Sequence, residues 1–332
     1  MPNQPDASID RGRVWLNMAI LYVVWGSTYL AIAVAVDTIP PFLMAALRFA
    51  LAGTVLLAWT VVRSRGTLAM PTARQWRDTA IVGALLLGGG MGMVAYGEQT
   101  IPSGVTALLI AMMPVWVAIF GRLFLGQHLP RIAIVGILIG FAGVAILAGP
   151  TAVGSAGALD PAGLAAIILS PIAWAIGSLY ASHRAMLPRE PLVATGTQMV
   201  TGGITLTIMA ALTGEFGRFD PGAVSGTSIA AFFYLAIIGS LLAFTAYGWL
   251  LRVAPLPLIA TYAYVNPVVA VILGALILRE PIEPRTLLAG AVIIGAVAVI
   301  ITARSRMAAP RSRPVYRGAP LVPAPGPAAE RP

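Results

Sequence analysis

The chain has 332 residues, of which 58% are hydrophobic and only 10% are charged, and its mean hydropathy is +0.88. Soluble globular domains carry roughly a quarter of their residues as charged side chains, so this composition excludes that class and indicates a polytopic membrane protein. The formal net charge of +9 comes from 21 basic residues, all of them arginine. Cysteine is absent and histidine occurs only twice, so no metal site is predicted.

Long charge-free stretches divide the chain into predicted transmembrane helices. Each can cross about 30 Å of hydrocarbon, which takes roughly 17–25 helical residues. Nine stretches contain no charge, and a tenth, 38–62, is equally apolar except for Arg48 inside it, so ten helices are predicted. The first stretch exceeds the roughly 7–15 apolar residues of a signal peptide, so we interpret it as a retained helix. The nine uninterrupted stretches are 14–36, 79–97, 99–121, 132–159, 161–183, 191–214, 221–251, 253–278 and 286–303.

The arginines are distributed unevenly over the connections between these stretches. With the N-terminus inside, 17 arginines lie in the inner connections and tails, and only Arg218, Arg279 and Arg285 lie outside. The positive-inside rule therefore predicts a multi-pass protein of the cell (inner) membrane with both termini in the cytoplasm.

The two halves of the chain resemble each other. Ala95-Tyr96-Gly97 recurs as Ala246-Tyr247-Gly248, and Pro114-Val115 recurs as Pro267-Val268. Each repeat spans five helices, an odd number, so the second copy crosses the membrane in the opposite orientation. The predicted fold is an all-α polytopic membrane protein with ten transmembrane helices in two inverted five-helix repeats. Such repeats are typical of secondary transporters that work by alternating access.

The predicted organisation has five parts along the chain. The last is disordered, because it is rich in Arg and Pro and has no hydrophobic periodicity. Its arginines are expected to lie against anionic lipid head groups, and no nucleic-acid binding is expected. The parts are a cytoplasmic N-terminal tail (1–13), a first repeat (14–148), an outer linker (149–158), a second repeat (159–302) and a cytoplasmic tail (303–332).

Two ionisable residues interrupt the apolar stretches. Arg48 lies about seven residues inside the second helix. One interpretation of Arg48 is structural: it pairs with Glu98 or with free carbonyls and so holds helices together. The other is functional: it serves as a counter-ion for an anionic substrate group or as a gate. Glu98 is the one acidic residue near an otherwise neutral core, so it is the candidate for coupling to a proton. The alternative for Glu98 is a solvated carboxylate at a loop end.

Prolines occupy matching places in the two repeats. Pro267 has no backbone N–H, which frees the carbonyl of Ala263 beside the amide of Asn266. Pro114 occupies the matching place in the first repeat. Kinks in matched helices predict a binding site or a hinge there.

A stripe of small residues, Gly136, Gly140 and Gly143, lies on one face of the fifth helix. It predicts a close approach to another helix, either within the monomer or in a homodimer.

The chain resembles the EamA-type transporters of the drug/metabolite transporter superfamily. The resemblance rests on Trp25-Gly26-Ser27-Thr28-Tyr29, Arg48-Phe49, the segment GEQTIPSGVTALLIAMMP (97–114) and the segment YAYVNPVVAVILGALILRE (262–280). It covers roughly 17–148 and 159–302. The family's acidic residue after helix nine matches Glu280, whereas the first half departs from the pattern with Gln127.

The resemblance implies a central cavity lined by helices one, three, four, six, eight and nine. It also implies export or permeation of amino acids, other metabolites or toxic compounds, with a small-molecule solute as partner. The residues implied as lining are Trp25, Tyr29, Tyr96, Trp174, Tyr247, Tyr264 and Asn266.

Two other classes of protein compete with a transporter. A passive channel would also suit a helical bundle, although paired kinks and inverted halves favour rocking. A membrane-embedded enzyme needs a nucleophile with a base, or metal ligands. His128 and His183 both fall at predicted helix ends, so an enzyme is not expected.

Overall fold

A computed structural model describes residues 11–65, 69–148, 159–254, 256–259 and 261–308. Within them, eight helices are long and apolar enough to span a membrane, and two shorter apolar helices accompany them. The described residues contain no β-strand. In chain order the helices are α1 (Arg11–Val36), α2 (Pro41–Arg63), α3 (Ala73–Gly97), α4 (Ser103–Leu125), α5 (Arg131–Ala148), α6 (Pro161–His183), α7 (Pro191–Leu212), α8 (Gly226–Tyr247), α9 (Tyr262–Leu278) and α10 (Pro284–Ala308).

The ends of the chain differ slightly from the sequence prediction. α1 begins at Arg11, and α10 continues to Ala308, six residues into the segment expected to be a disordered tail. The predicted linker, 149–158, and the tail from Pro310 onward lie outside the described residues. The bundle therefore includes residues that the sequence assigns to both tails.

Local sequence signals account for several helix starts. Pro41, Pro161 and Pro191 each occupy the first turn of a helix, where the missing N–H costs nothing. The Asp160 carboxylate accepts the backbone N–H of Gly163 at 2.7 Å and caps α6. These signals fix where the chain leaves each connection.

Four of the described helices, α1, α3, α8 and α9, contain a π-helical segment, and the two longest segments occupy matching places in the two halves of the chain. These two segments are Ala84–Gly92 in α3 and Tyr234–Leu242 in α8, nine residues each. Their starting residues are 150 positions apart, close to the 151 and 153 positions that separate the repeated motifs at Ala95 and Pro114 from their second copies. π-Helical turns are rare in proteins, and those that exist are often found at functional sites. The matching pair therefore indicates that α3 and α8 contribute to a functional site.

Glycines set the closest helix approaches. A Cβ on Gly53 of α2 would lie 2.8 Å from Met199 Cβ and 2.9 Å from the Gly196 carbonyl of α7. On α5, a Cβ on Gly136 would meet Ile300 at 2.8 Å, and one on Gly143 would meet Ile293 at 2.7 Å. The stripe on α5 therefore packs against α10 of the same chain, and it no longer argues for a homodimer.

Two sets of polar contacts tie distant parts of the chain together at opposite ends of the bundle. At one end, called the Glu280 end, Glu280 and Glu215 hold the first residues of α4 and α2. There too, Arg285 Nη2 donates to the Leu147 carbonyl at 2.8 Å. At the other end, called the Asp78 end, Asp78 and Gln75 of α3 bond to the connection between α6 and α7.

Candidate solute cavity

A cavity of about 430 Å³ lies inside the bundle. Within the described residues, α1–α4 and α6–α9 line it, while α5 and α10 contribute no lining residue. It falls within the range of small-molecule sites, which are mostly apolar with a few placed polar groups. The residues that line the cavity include Trp25, Tyr29, Arg48, Phe49, Pro114, Trp174, Ser178, Pro191, Thr195, Gln198, Phe244, Tyr247, Tyr262, Asn266 and Pro267.

Aromatic rings from three helices form one wall of the cavity. The Trp25 ring of α1 lies 5.5 Å from Phe244, 5.3 Å from Tyr247 and 5.0 Å from Tyr262, measured between centroids. Edge-on and tilted contacts of this kind contribute beyond simple burial. The rings brace one another, so they present a fixed apolar surface to a solute.

Arg48 reaches the cavity from the second turn of α2. Its side chain is 3% exposed, and Nε donates a 3.0 Å hydrogen bond to Ser240 Oγ in α8. The guanidinium carbon lies 4.8 Å from the centroid of the Phe49 ring, a cation–π contact. Within the described residues Arg48 forms no ion pair. The proposed pairing of Arg48 with Glu98 is therefore absent.

Glu98 lies in the connection between α3 and α4 and is only 5% exposed. Neither of its carboxylate oxygens has a hydrogen-bond partner. Burial raises the pKa of the Glu98 carboxyl well above its usual value, the nearby charge of Glu280 adds to the increase, and Arg48 opposes it. The alternative of a solvated carboxylate at a loop end is therefore wrong.

The two proline positions both line the cavity. α4 is interrupted at Ala111 and Met112, directly before Pro114, whereas Pro267 lies inside the first segment of α9. Asn266 is 6% exposed, and its Oδ1 has no hydrogen-bond partner. The cavity thus contains an orphan acceptor beside the proline of α9.

The remaining predicted lining residues divide into two groups. Trp25, Tyr29, Trp174 and Tyr247 lie on the cavity wall. Tyr96 instead stacks on Phe42, with centroids 5.8 Å apart, and Tyr264 packs against the apolar cluster around Leu108 and Ile293. Neither tyrosine is among the described lining residues.

Three carboxylates hold the ends of the bundle, and of these the sequence analysis named only Glu280, as a match to the family pattern, and missed Asp78 and Glu215. Asp78 is fully buried, and it accepts hydrogen bonds from Tyr180 Oη at 3.0 Å, from the Met186 backbone N–H at 2.7 Å and from its neighbour Arg77. Asp78 follows the polar residues of the first turns of α3 and directly precedes the charge-free stretch 79–97, so the sequence carries little signal of its burial.

Glu215 and Glu280 act alike at the other end. Glu215 accepts the backbone N–H groups of Phe42 and Leu43 at 3.3 and 2.8 Å. Glu280 does the same for Ser103 and Gly104. Free N–H groups at a helix N-terminus favour a negative charge, so each carboxylate caps a helix more than 170 residues away in the chain.

The fold and the site define a multi-pass helical membrane protein built around an internal cavity of small-molecule size. The chain belongs to the EamA-like transporter family, whose model matches residues 13–149 and again 161–302. It is 38% identical over 283 residues to the inner membrane transporter YedA of Escherichia coli (strain K12), covering 84% of this chain and 88% of that one.

More distant relatives agree with this class. Protein PecM of Dickeya dadantii is 29% identical over 281 residues, covering 84% of this chain and 88% of its own. A solved crystal structure with 21% identity superposes with a TM-score of 0.58, over 90% of this chain and 99% of that one. At this identity the crystal structure supports the fold alone. Most of the relatives are named as transporters, and none of those named here is called an enzyme.

Proposed function

We propose that the protein is a secondary transporter that exports small metabolites, amino acids or drug-like solutes by alternating access. The observation that carries the proposal is the cavity, which receives side chains from residues on both sides of position 150 and is of small-molecule size. The proposed carrier has ten membrane helices in two inverted repeats, 14–148 and 159–302. Pro114 and Pro267 act as hinges, and Trp25, Tyr29, Trp174, Tyr247 and Asn266 contact the solute.

Three pairs of features support two related halves. The family model matches twice, the π-helical segments of α3 and α8 begin 150 residues apart, and α4 and α9 each contain a proline that lines the cavity. A carrier needs two stable arrangements of such halves, and matched irregular helices allow one half to move against the other.

The shape of the cavity supports one access state. Its lining reaches Pro191 and Thr195 in the first two turns of α7, close to the Asp78 end. Toward the Glu280 end the lining of α4 stops at Ala107, behind the Glu280 hydrogen bonds to Ser103 and Gly104. We infer an arrangement closed at the Glu280 end and leading to the Asp78 end. In the proposed orientation the protein lies in the inner membrane with both termini in the cytoplasm. The Asp78 end then faces the cytoplasm.

A passive channel is the second candidate. The Glu280 hydrogen bonds that close one end of the cavity favour the carrier, because a channel needs one continuous open path. We keep Glu98 as the proposed group that couples transport to a proton. The C-terminal arginines are proposed to contact anionic lipid head groups, and a homodimer is proposed as the assembly.

The test starts with a screen of solutes in an export-deficient strain with and without the protein. A solute found this way is then measured in proteoliposomes. Saturable flux that is stimulated by solute on the far side supports a carrier, whereas flux that rises linearly with concentration supports a channel and contradicts the proposal.

A matched pair of variants on α6 tests the route. Ser178→Trp fills the cavity, whereas Ser182→Trp places the same ring on the exposed face one turn further along. We expect Ser178→Trp to abolish flux at normal folded yield and Ser182→Trp to keep it. Equal flux in both variants would contradict transport through this cavity.

A further inference from the structure

The cavity contains one formally charged side chain. Among its described lining residues, Arg48 alone carries a guanidinium, ammonium, imidazole or carboxylate group. The other lining residues are apolar, aromatic, hydroxyl or amide side chains. A solute in the cavity therefore meets a single positive charge in apolar surroundings, where charge interactions are stronger than in water.

The free donors of Arg48 face the cavity. A guanidinium has five N–H donors, and the described structure uses only the one on Nε, bonded to Ser240 Oγ. The four N–H groups on the two Nη atoms have no protein acceptor among the described residues. They form the planar fork that matches two oxygens of one anion.

The protein holds this fork in a fixed position. Ser240 is fully buried on the π-helical segment of α8, and the Phe49 ring packs on the guanidinium at 4.8 Å. Gly239 of the same segment lies directly beside the guanidinium, since a Cβ there would be in van der Waals contact with Arg48 Nη2 at 3.4 Å. A donor group held on α2 by a contact to α8 is preorganised for binding.

The buried carboxyl group of Glu98 does not neutralise Arg48. Glu98 lies beyond ion-pair distance and outside the cavity lining. The groups that act on it electrostatically are Glu280, Arg48 and Tyr29. Its carboxylate has no hydrogen-bond donor, which favours the protonated, neutral form.

We propose that the cavity takes a solute with an oxyanion head group bound by the Arg48 fork and an apolar, aromatic body against the wall around Trp25. The head group is a carboxylate, a sulfonate or a phosphate ester, since all three present paired oxygens. This inference rests on the proposed transport function and names the substrate class for the same cavity.

The test compares three anions with neutral counterparts that keep the phenyl ring, two of which, the amide and the sulfonamide, also keep the shape of the head group. Phenylacetate, benzenesulfonate and phenyl phosphate are set against phenylacetamide, benzenesulfonamide and benzyl alcohol. Binding to the full-length purified protein is measured by the shift of its unfolding temperature and by calorimetry at neutral pH. We expect at least one anion to bind roughly tenfold or more tightly than its neutral counterpart. If no anion does so, the inference is overturned.

Variants locate the preference on Arg48. Arg48→Gln is expected to remove it, a loss of roughly ten- to hundredfold, while Arg63→Gln at the exposed end of the same helix keeps it. Arg48→Lys keeps the charge without the fork and retains part of the preference, which covers the case in which Arg48→Gln does not fold. Full anion binding in folded Arg48→Gln would overturn the inference.

Failure of this inference is distinguishable from failure of the transport proposal. If a neutral solute shows saturable flux while no anion is preferred, transport stands and the anion site falls. If no solute shows saturable flux although an anion binds through Arg48, the transport proposal falls and the site stands.

Discussion

Glu280 accepts a 2.8 Å hydrogen bond from the backbone N–H of Ser103, although 177 residues separate the two in the chain. The second oxygen of Glu280 accepts the N–H of Gly104 at 3.2 Å. One side chain at the end of α9 thus provides a cap for α4, and the same pair of bonds closes the bundle over the cavity.

Removing this cap is predicted to open the Glu280 end. Glu280→Ala deletes two hydrogen bonds to a charged acceptor, each with a net value of about 1.5–3 kcal/mol, so we expect at least about tenfold more of the open arrangement. The chain has no cysteine, so a cysteine introduced at Ala107 on the cavity wall is the only thiol. Its labelling rate by a membrane-impermeant maleimide measures the opening. Glu283→Ala, in the exposed part of the same connection, is the control, and equal rates in both variants would refute the closure.

Asp78 is predicted to be a stability determinant at the opposite end. Asp78→Asn removes the negative charge and one of the two acceptor oxygens, so the bonds from Tyr180, Met186 and Arg77 are weakened or lost at a cost of about 1–3 kcal/mol. We expect a lower unfolding temperature in detergent, with a smaller decrease for Tyr180→Phe because only one bond is lost. Asp37→Asn, at an exposed position, is expected to leave it unchanged. An Asp78→Asn protein as stable as the parent would show that the network contributes little.

The crossing of α2 and α7 is predicted to tolerate no side chain at Gly53. A methyl group there would lie within 3 Å of Met199 and Gly196, so Gly53→Ala forces the two helices apart at a cost of about 1–3 kcal/mol. Gly295→Ala is the matched control, because its new Cβ meets no atom within 4 Å and alanine favours a helix. Thermal unfolding of both variants measures the difference. The prediction fails if the two substitutions have the same effect.

Glu98 is predicted to make stability fall as pH rises. Its pKa is higher in the folded protein than in the unfolded chain, so the folded state holds the proton longer and loses stability between the usual carboxyl pKa and the raised one. Glu98→Gln, which is permanently neutral, is expected to be more stable than the parent at neutral pH and to match it below about pH 4.

The measurement for Glu98 is the unfolding temperature from pH 4 to 8. Glu190→Gln, at an exposed carboxylate, serves as the control. A pH dependence unchanged by Glu98→Gln would exclude the buried carboxyl as its source. A Glu98→Gln protein whose flux still responds fully to a pH gradient would remove Glu98 as the coupling group.

The apolar stretches predicted the helices well because spanning length and hydropathy are local properties of the chain. Composition could not predict the break of α4 at Ala111 and Met112, nor the π-helical segments, which depend on helix packing. The hydroxyl partner of Arg48 was not among the predicted alternatives for a similar reason. The sequence offered a carboxylate as the obvious counter-charge, whereas the structure supplies a hydroxyl, Ser240, 192 positions away.

Tyr96 and Tyr264 illustrate the limit for the cavity. Both lie on helices that line it, but a rotation of less than half a turn decides whether a ring faces the cavity or a neighbouring helix. Tyr96 faces Phe42 and Tyr264 faces an apolar cluster. Resemblance to a family identifies the helix reliably and the face much less so.

The carboxylates of Glu215 and Glu280 both accept hydrogen bonds from main-chain N–H groups, which every residue except proline has. These hydrogen bonds themselves therefore set no requirement on the amino acids at 42, 43, 103 and 104, except that none is proline. Related chains should retain an acidic residue at 215 and 280 while the opposite positions vary independently. A search for pairs of positions that change together in related sequences would therefore not detect the contacts made by Glu215 and Glu280.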